Sequence, residues 1–139
     1  ANFFSKYVNY PVISDDSGLC IKALDNRPGI YSARLAKKHG SFLKAMKFIL
    51  KKMRKIKNRK AFFVCSLSYK DKKGKVTTVE GKINGKISKT IKGKNGFGYD
   101  PFFIPLNQKI TFGQINKTKK IKMDHRFIAF KKLKKKINI

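Results

Sequence analysis

The stretch AFFVCSLSYKDKKGKVTTVEGKINGKISKTI, residues 61–91, decides the fold. Ala61 to Tyr69 is rich in β-branched and aromatic residues and stops at the turn-forming run Asp71-Lys-Lys-Gly74. After it, Lys75–Ile83 and Lys86–Ile91 alternate apolar with polar at a period of two, so the segment predicts a meander of strands. Upstream the period changes. From Ser41, Phe42, Met46, Ile49, Leu50, Met53 and Ile56 share one helical face, with Lys44, Lys47, Lys51, Lys52 and Lys55 on the other. Ser41 after Gly40 is the expected N-cap. Further upstream, Pro11–Ser14 reads as a short buried strand that delivers Asp15-Asp16-Ser17-Gly18 into a loop at its end. Leu19–Leu24 reads as a second short strand before the turn Asn26-Arg27-Pro28-Gly29. Downstream, Phe102–Leu106 is a further strand, and Asp124–Ile137 is a closing helix with Ile128, Leu133 and Ile137 inward. Ala1–Val8 reads as the last turns of an amphipathic helix. With no internal repeat and no break in composition, residues 1–139 are expected to form one mixed α/β domain around one sheet.

Composition bounds the function. A chain of 139 residues with 41% apolar and 12% aromatic residues can build a core. No run of about 18 apolar residues exists and no signal-peptide pattern opens the chain, so the expected compartment is the cytoplasm, with no membrane partner. Cys20 and Cys65 lie far apart, without the spacing of a zinc site or a disulfide framework, and read as small buried hydrophobes. The net charge of +28 suggests a nucleic-acid or anionic-surface binder. Yet the excess is nearly all Lys and comes with abundant Ile, Asn and Phe, the residues of AT-rich codons, so coding bias explains it without any partner and is the stronger reading. The densest runs, Lys51–Lys60 and Lys131–Lys136, read as solvated helix faces, and nucleic acid is expected to bind only through non-specific charge.

Three clusters carry chemistry. Asp15-Asp16-Ser17-Gly18 offers two neighbouring carboxylates, which suit a hard cation such as magnesium; the same tetrapeptide is also a good turn. Gly93-Lys-Asn-Gly-Phe-Gly-Tyr-Asp-Pro101 interleaves glycines that let backbone amides approach an anion with aromatics on which a base can stack. The alternative for that segment is a glycine-rich hairpin packed on the core. Lys119-Lys120 and Met123-Asp-His-Arg126 lead into the last helix, where Asp124 is the natural N-cap and His125-Arg126 project donors from a terminus that favours anions.

In order along the chain, Pro11–Leu19, Arg27-Pro-Gly-Ile-Tyr-Ser-Ala-Arg34, Gly96-Phe-Gly-Tyr-Asp-Pro-Phe102 and His125-Arg126 followed by Ala129 closely resemble the signature segments of the inosine triphosphate pyrophosphatase family. The resemblance runs from about Ala1 to Leu133. It implies an elongated mixed sheet with flanking helices, forming two lobes around a cleft, and a homodimer as the working unit. It also implies magnesium-dependent hydrolysis of ITP, dITP and XTP to the monophosphate and pyrophosphate. Asp16 would be the metal-linked general base and Asp15 would support the metal. Ser17 would contact substrate. Phe97, Gly98, Tyr99 and Asp100 would line the nucleoside pocket, with Phe97 stacked on the base, while Lys120, His125 and Arg126 would bind phosphate and the base edge.

Two departures from the family pattern stand out. Asp124 occupies the position where the family has Ser. The family's opening strand, its Gly-Asn phosphate loop and the following Glu and Lys have no counterpart, so the chain is expected to lack an N-terminal part. Two further readings are a basic nucleic-acid-binding module and an inactive fragment of the pyrophosphatase.

Overall fold

The alternation of residues 61–69 becomes the central strand of the molecule. The computed structural model describes residues 1–139. Five strands, β1 (Val12–Ile21), β2 (Arg27–Gly29), β3 (Lys60–Lys70), β4 (Val76–Ile87) and β5 (Phe103–Pro105), form one sheet in the order β2-β1-β3-β4-β5. Every ladder is antiparallel. Four helices flank it: α1 (Ser32–His39), α2 (Phe42–Lys52), α3 (Lys117–Ile121) and α4 (His125–Lys136). This is the α/β arrangement expected from the sequence.

Register explains where the core sits. Ser17 faces Cys65 across β1 and β3, and Cys65 faces Gly81 across β3 and β4, so odd-numbered residues share one face of the sheet. That face is apolar. Leu19, Ile21, Ala61 and Phe63 join Met46, Ile49 and Met53 of α2 and the aromatics Phe102, Phe103 and Phe112 in the larger core cluster. Cys65, Leu67 and Val79 pack under Ala129 and Leu133 of α4 in a second one. The even-numbered face carries Ser14, Asp16, Ser66, Ser68, Glu80 and Lys82, all exposed or half-buried.

The turn-forming appearance of Asp15–Gly18 is overridden. These residues lie in the middle of the ten-residue β1, because β3 pairs with it continuously from Val12↔Lys70 to Ile21↔Ala61. The two short strands expected there are one strand, and Lys22–Leu24 is a 3₁₀ turn. Likewise the two expected strands over 75–91 are the single β4, which passes through Gly85 without a break. The turn expected at 26–29 falls earlier, at Asp25 and Asn26, both left-handed, and residues 27–29 form β2. Residues 1–8 hold only a 3₁₀ turn, Phe4–Lys6, in place of the expected helix end, and leave Phe3, Phe4 and Tyr7 exposed. In α4 the residues turned inward are His125, Ala129 and Leu133, with Ile137 packed beside them; Ile128 is only half-buried. The caps agree with expectation. Ser41 accepts the Lys44 N–H and Asp124 accepts the Phe127 N–H.

Candidate functional site

Strand alternation decides the fate of the paired aspartates. Asp15 lies on the odd face, beside the N-terminal turn of α4, and Asp16 lies on the even face. The Asp15 carboxylate has three protein partners. It accepts from Arg126 Nε in an ion pair, from the Ser17 hydroxyl at 2.9 Å and from the Cys65 thiol at 3.6 Å. Burial pushes its pKa up, but the hydrogen bonds from Arg126 and Ser17 and the guanidinium charge outweigh this and hold Asp15 below the ordinary carboxylate range. The same hydrogen bond raises Arg126. Asp16 makes no side-chain hydrogen bond or ion pair and is exposed. Its cross-strand neighbours are Ser66 and then Glu80.

Arg126 reaches Asp15 because α4 seats close against β4. A Cβ at Gly81 would collide with the His125 carbonyl and the Ala129 amide, so only glycine lets the helix approach. Arg126 also lies within 3.4 Å of the Ser17 hydroxyl and 5.4 Å from the centre of the Phe97 ring. Phe97 is 59% exposed at the tip of the glycine-rich loop. Lys120 Nζ stands 4.3 Å from its centroid, so two cations bracket one aromatic ring.

A buried polar hub fixes that loop. Asp100, 2% exposed, accepts the Phe97 N–H at 2.8 Å and pairs with Lys120 at 2.6 Å. Burial pushes the Asp100 carboxyl up, against the opposing pull of the Lys120 hydrogen bond and the Phe97 amide. Gly96 is left-handed at φ 74° and passes so close to Asp100 that any Cβ would strike its carboxylate. Tyr99 is buried, donates to the Ser32 carbonyl at 2.8 Å and meets Phe42 edge-on. Burial raises its pKa to about 12. His125 is buried and stacked on Phe63 at 5.0 Å. Its Nδ1 has no partner, and burial drives its pKa down to about 4, so the ring is neutral.

These side chains frame a groove of about 550 Å³ lined by Asp15, Gly96, Phe97, Lys120 and Arg126, with an apolar wall that includes Ile13, Leu67 and Phe130. Tyr99 and Asp100, expected to line the pocket, instead face inward and hold its loop. Gly98 turns toward Phe42. Lys120 borders the groove yet is 4% exposed and tied to Asp100, and His125 lies beneath the surface. Ser17 orients Asp15 and touches Arg126. Cys65 went unrecognised as part of the site, although its odd position in β3, one pair along from Leu67, is the signal that places it under Asp15. The apolar wall had no local signal.

Asp16 is not in the groove wall. It sits one residue from Asp15 on the opposite face of β1, but β2 pairs only with Leu19–Ile21, so the edge of β1 over residues 12–18 faces no strand. A ligand can therefore reach from Phe97 to Asp16 only by crossing that edge. No group of three His, Cys, Asp or Glu side chains surrounds a common point. Of the paired aspartates, Asp16 has no protein partner, whereas Asp15 already accepts from Arg126, Ser17 and Cys65.

Residues 1–136 match the model of the Ham1 family. A dITP/XTP pyrophosphatase of Dictyoglomus thermophilum is 44% identical over 138 residues, covering 96% of this chain and 66% of that protein. One of Borrelia duttonii is 46% identical over 132 residues, covering 90% of this chain and 65% of its own length. The chain thus spans just under two thirds of the curated relatives it matches. Among solved structures, the Ham1 protein of Staphylococcus aureus superposes with a TM-score of 0.88 at 36% identity, covering 96% of this chain and 69% of that one. The nucleoside-triphosphatase / dITP/XTP pyrophosphatase of Mycobacterium abscessus gives 0.80 at 32% identity, with the same coverage.

Proposed function

The chain belongs to the Ham1 family, and from that premise we propose that it serves the hydrolysis of ITP, dITP and XTP to the monophosphate and pyrophosphate, keeping these nucleotides out of nucleic acids. The observation that carries this reading is the exposed Phe97 ring bracketed by Lys120 and Arg126 at the mouth of a groove. An aromatic face takes a purine, and the guanidinium beside it donates to the edge of the base.

Selectivity against adenine follows from the donors. Guanidinium and ammonium groups donate and never accept. The 6-keto oxygen of hypoxanthine or xanthine satisfies such a donor, whereas the 6-amino group of adenine leaves it unpaired. Arg126, held by Asp15 with its side chain still 40% exposed, is the donor proposed for this task. His125 supports it from beneath as a neutral ring, and Ser17 keeps Asp15 and Arg126 aligned.

Magnesium is commonly held by one or two carboxylates together with water and substrate phosphates. Asp16, with a carboxylate free of protein partners, fits that use. Bound there, the ion would neutralise phosphate charge and acidify a water. Asp16 is also the proposed general base: its carboxylate accepts the proton of the attacking water as the α–β anhydride breaks and pyrophosphate leaves. The proposal includes a homodimeric working unit, on the strength of the signature segments, and a cytoplasmic location.

A pyrophosphate-release panel across ITP, XTP, dITP, GTP and ATP, run on the full reading frame that carries this chain, tests the reading. Pyrophosphate release from ITP, XTP and dITP well above that from ATP, and abolished by Asp16→Asn, is expected. Equal turnover of ATP and ITP would contradict it.

A further inference from the structure

A large concavity lies away from the nucleotide groove. About 830 Å³ in volume, it opens where α2 ends, with Lys51, Arg54 and Lys55 on one wall and Lys89 on the other. A second concavity of about 370 Å³, lined in part by Lys92 and Lys109, adjoins it, sharing Arg59 and Lys89. Neither contains an acidic or an aromatic residue. None of the three ion pairs of the molecule involves a residue of this trough. It shares no residue with the groove at Phe97.

Coding bias accounts for how many lysines the chain has, not for their convergence around a hollow. The floor of the hollow is rigid. Arg59 donates through Nε to the Ile87 carbonyl and through a terminal nitrogen to the Ser88 carbonyl, each at 2.7 Å, and also reaches the Met53 carbonyl at 3.4 Å. This clamp joins the end of α2 to the end of β4, so the two lysine walls keep their separation. Like charges facing each other across a concave, low-dielectric surface focus a positive potential that a polyanion relieves.

We propose that this trough binds the sugar-phosphate backbone of double-helical nucleic acid, independently of sequence. The shape suits a rod rather than a flat bilayer. The lack of aromatic side chains leaves no platform for unstacked bases, so contact is with phosphates and not with single-stranded bases. Lysines act as flexible point charges there and need no fixed register.

Fluorescence anisotropy with a short DNA duplex across a salt titration tests this. One variant carries Lys51→Gln, Arg54→Gln, Lys55→Gln and Lys89→Gln. Another removes the same number of charges from α4 by Lys131→Gln, Lys134→Gln, Lys135→Gln and Lys136→Gln. The trough variant is expected to lose at least about tenfold in affinity and to flatten the slope of log K against log salt by about 3 to 4, one phosphate contact per lost charge. The α4 variant should change far less, and scrambling the duplex sequence should change nothing. Equal losses in both variants would overturn the proposal, as would tighter binding to anionic vesicles than to the duplex, or no salt-dependent binding at all. Hydrogen exchange on the unaltered protein gives an independent reading: the duplex should protect residues 51–57 and 89–92, and protection confined to α4 would equally overturn the proposal.

Discussion

Phe97 leaves 59% of its surface open while its amide is pinned to Asp100, so its position is rigid and much of its ring is accessible. Phe97→Ala should therefore leave the fold intact and weaken nucleotide binding by about 1–3 kcal/mol, the worth of one base on an aromatic ring. Calorimetric titration checks this, and unchanged affinity would remove the stacking role. His125 governs behaviour toward acid. Its folded pKa of about 4 lies below the ordinary 6.5, so between these values the unfolded chain binds more protons and stability falls as pH falls. Thermal melts should decline from about pH 6.5 toward 4, by up to about 3 kcal/mol in all, and His125→Asn should flatten that decline. Asp15 adds a separate loss below its ordinary value of 3.8, because its folded pKa is depressed by Arg126 and Ser17 against the upward push of burial.

At the scale of elements, the seating of α4 on β4 turns on Gly81. Gly81→Ala puts a methyl group into the helix backbone, so it should cost at least about 1–3 kcal/mol and displace Arg126 from Asp15. Denaturant unfolding and nucleotide affinity should both report the change; a variant as stable as the parent would contradict the seating. Of the elements that sequence periodicity announces most clearly, β3 and α4 appear close to their expected limits, whereas α2 begins at its expected cap but ends at Lys52, leaving Met53 and Ile56 beyond the helix. Asp15–Gly18 misled because turn propensity is local, while β3 offers ten consecutive partners and tertiary pairing prevails. Gly85 similarly suggested a break in β4, yet it is there because a Cβ would meet the Ile104 carbonyl. The short α1 carries too mixed a pattern, SARLAKKH, to show itself in advance.

At the scale of the whole molecule, 35 basic residues face 7 acids, and two of those acids, Asp15 and Asp100, are committed to Arg126 and Lys120. Net self-repulsion should make the protein more stable as salt screens it, so the melting temperature should rise from low ionic strength to physiological; a fall would mean that the ion pairs dominate. The three chemical clusters were legible as clusters, and the structure brings Asp15, Phe97, Lys120 and Arg126 to one groove. Which member of each cluster faces that groove was not legible, because it depends on strand parity and on burial of the Asp100–Lys120 hub, both set by long-range pairing. Parity puts Asp16 behind β1, so the functional proposal requires one nucleotide to span both sides of that strand's free edge. A crystal structure with magnesium and a non-hydrolysable dITP analogue tests this most directly. The purine should lie on Phe97 with its 6-oxygen toward Arg126, and the phosphates should cross the edge of residues 12–18 to the Asp16 carboxylate. A nucleotide seated away from Phe97, or one whose phosphates stay beyond reach of Asp16, would contradict the account.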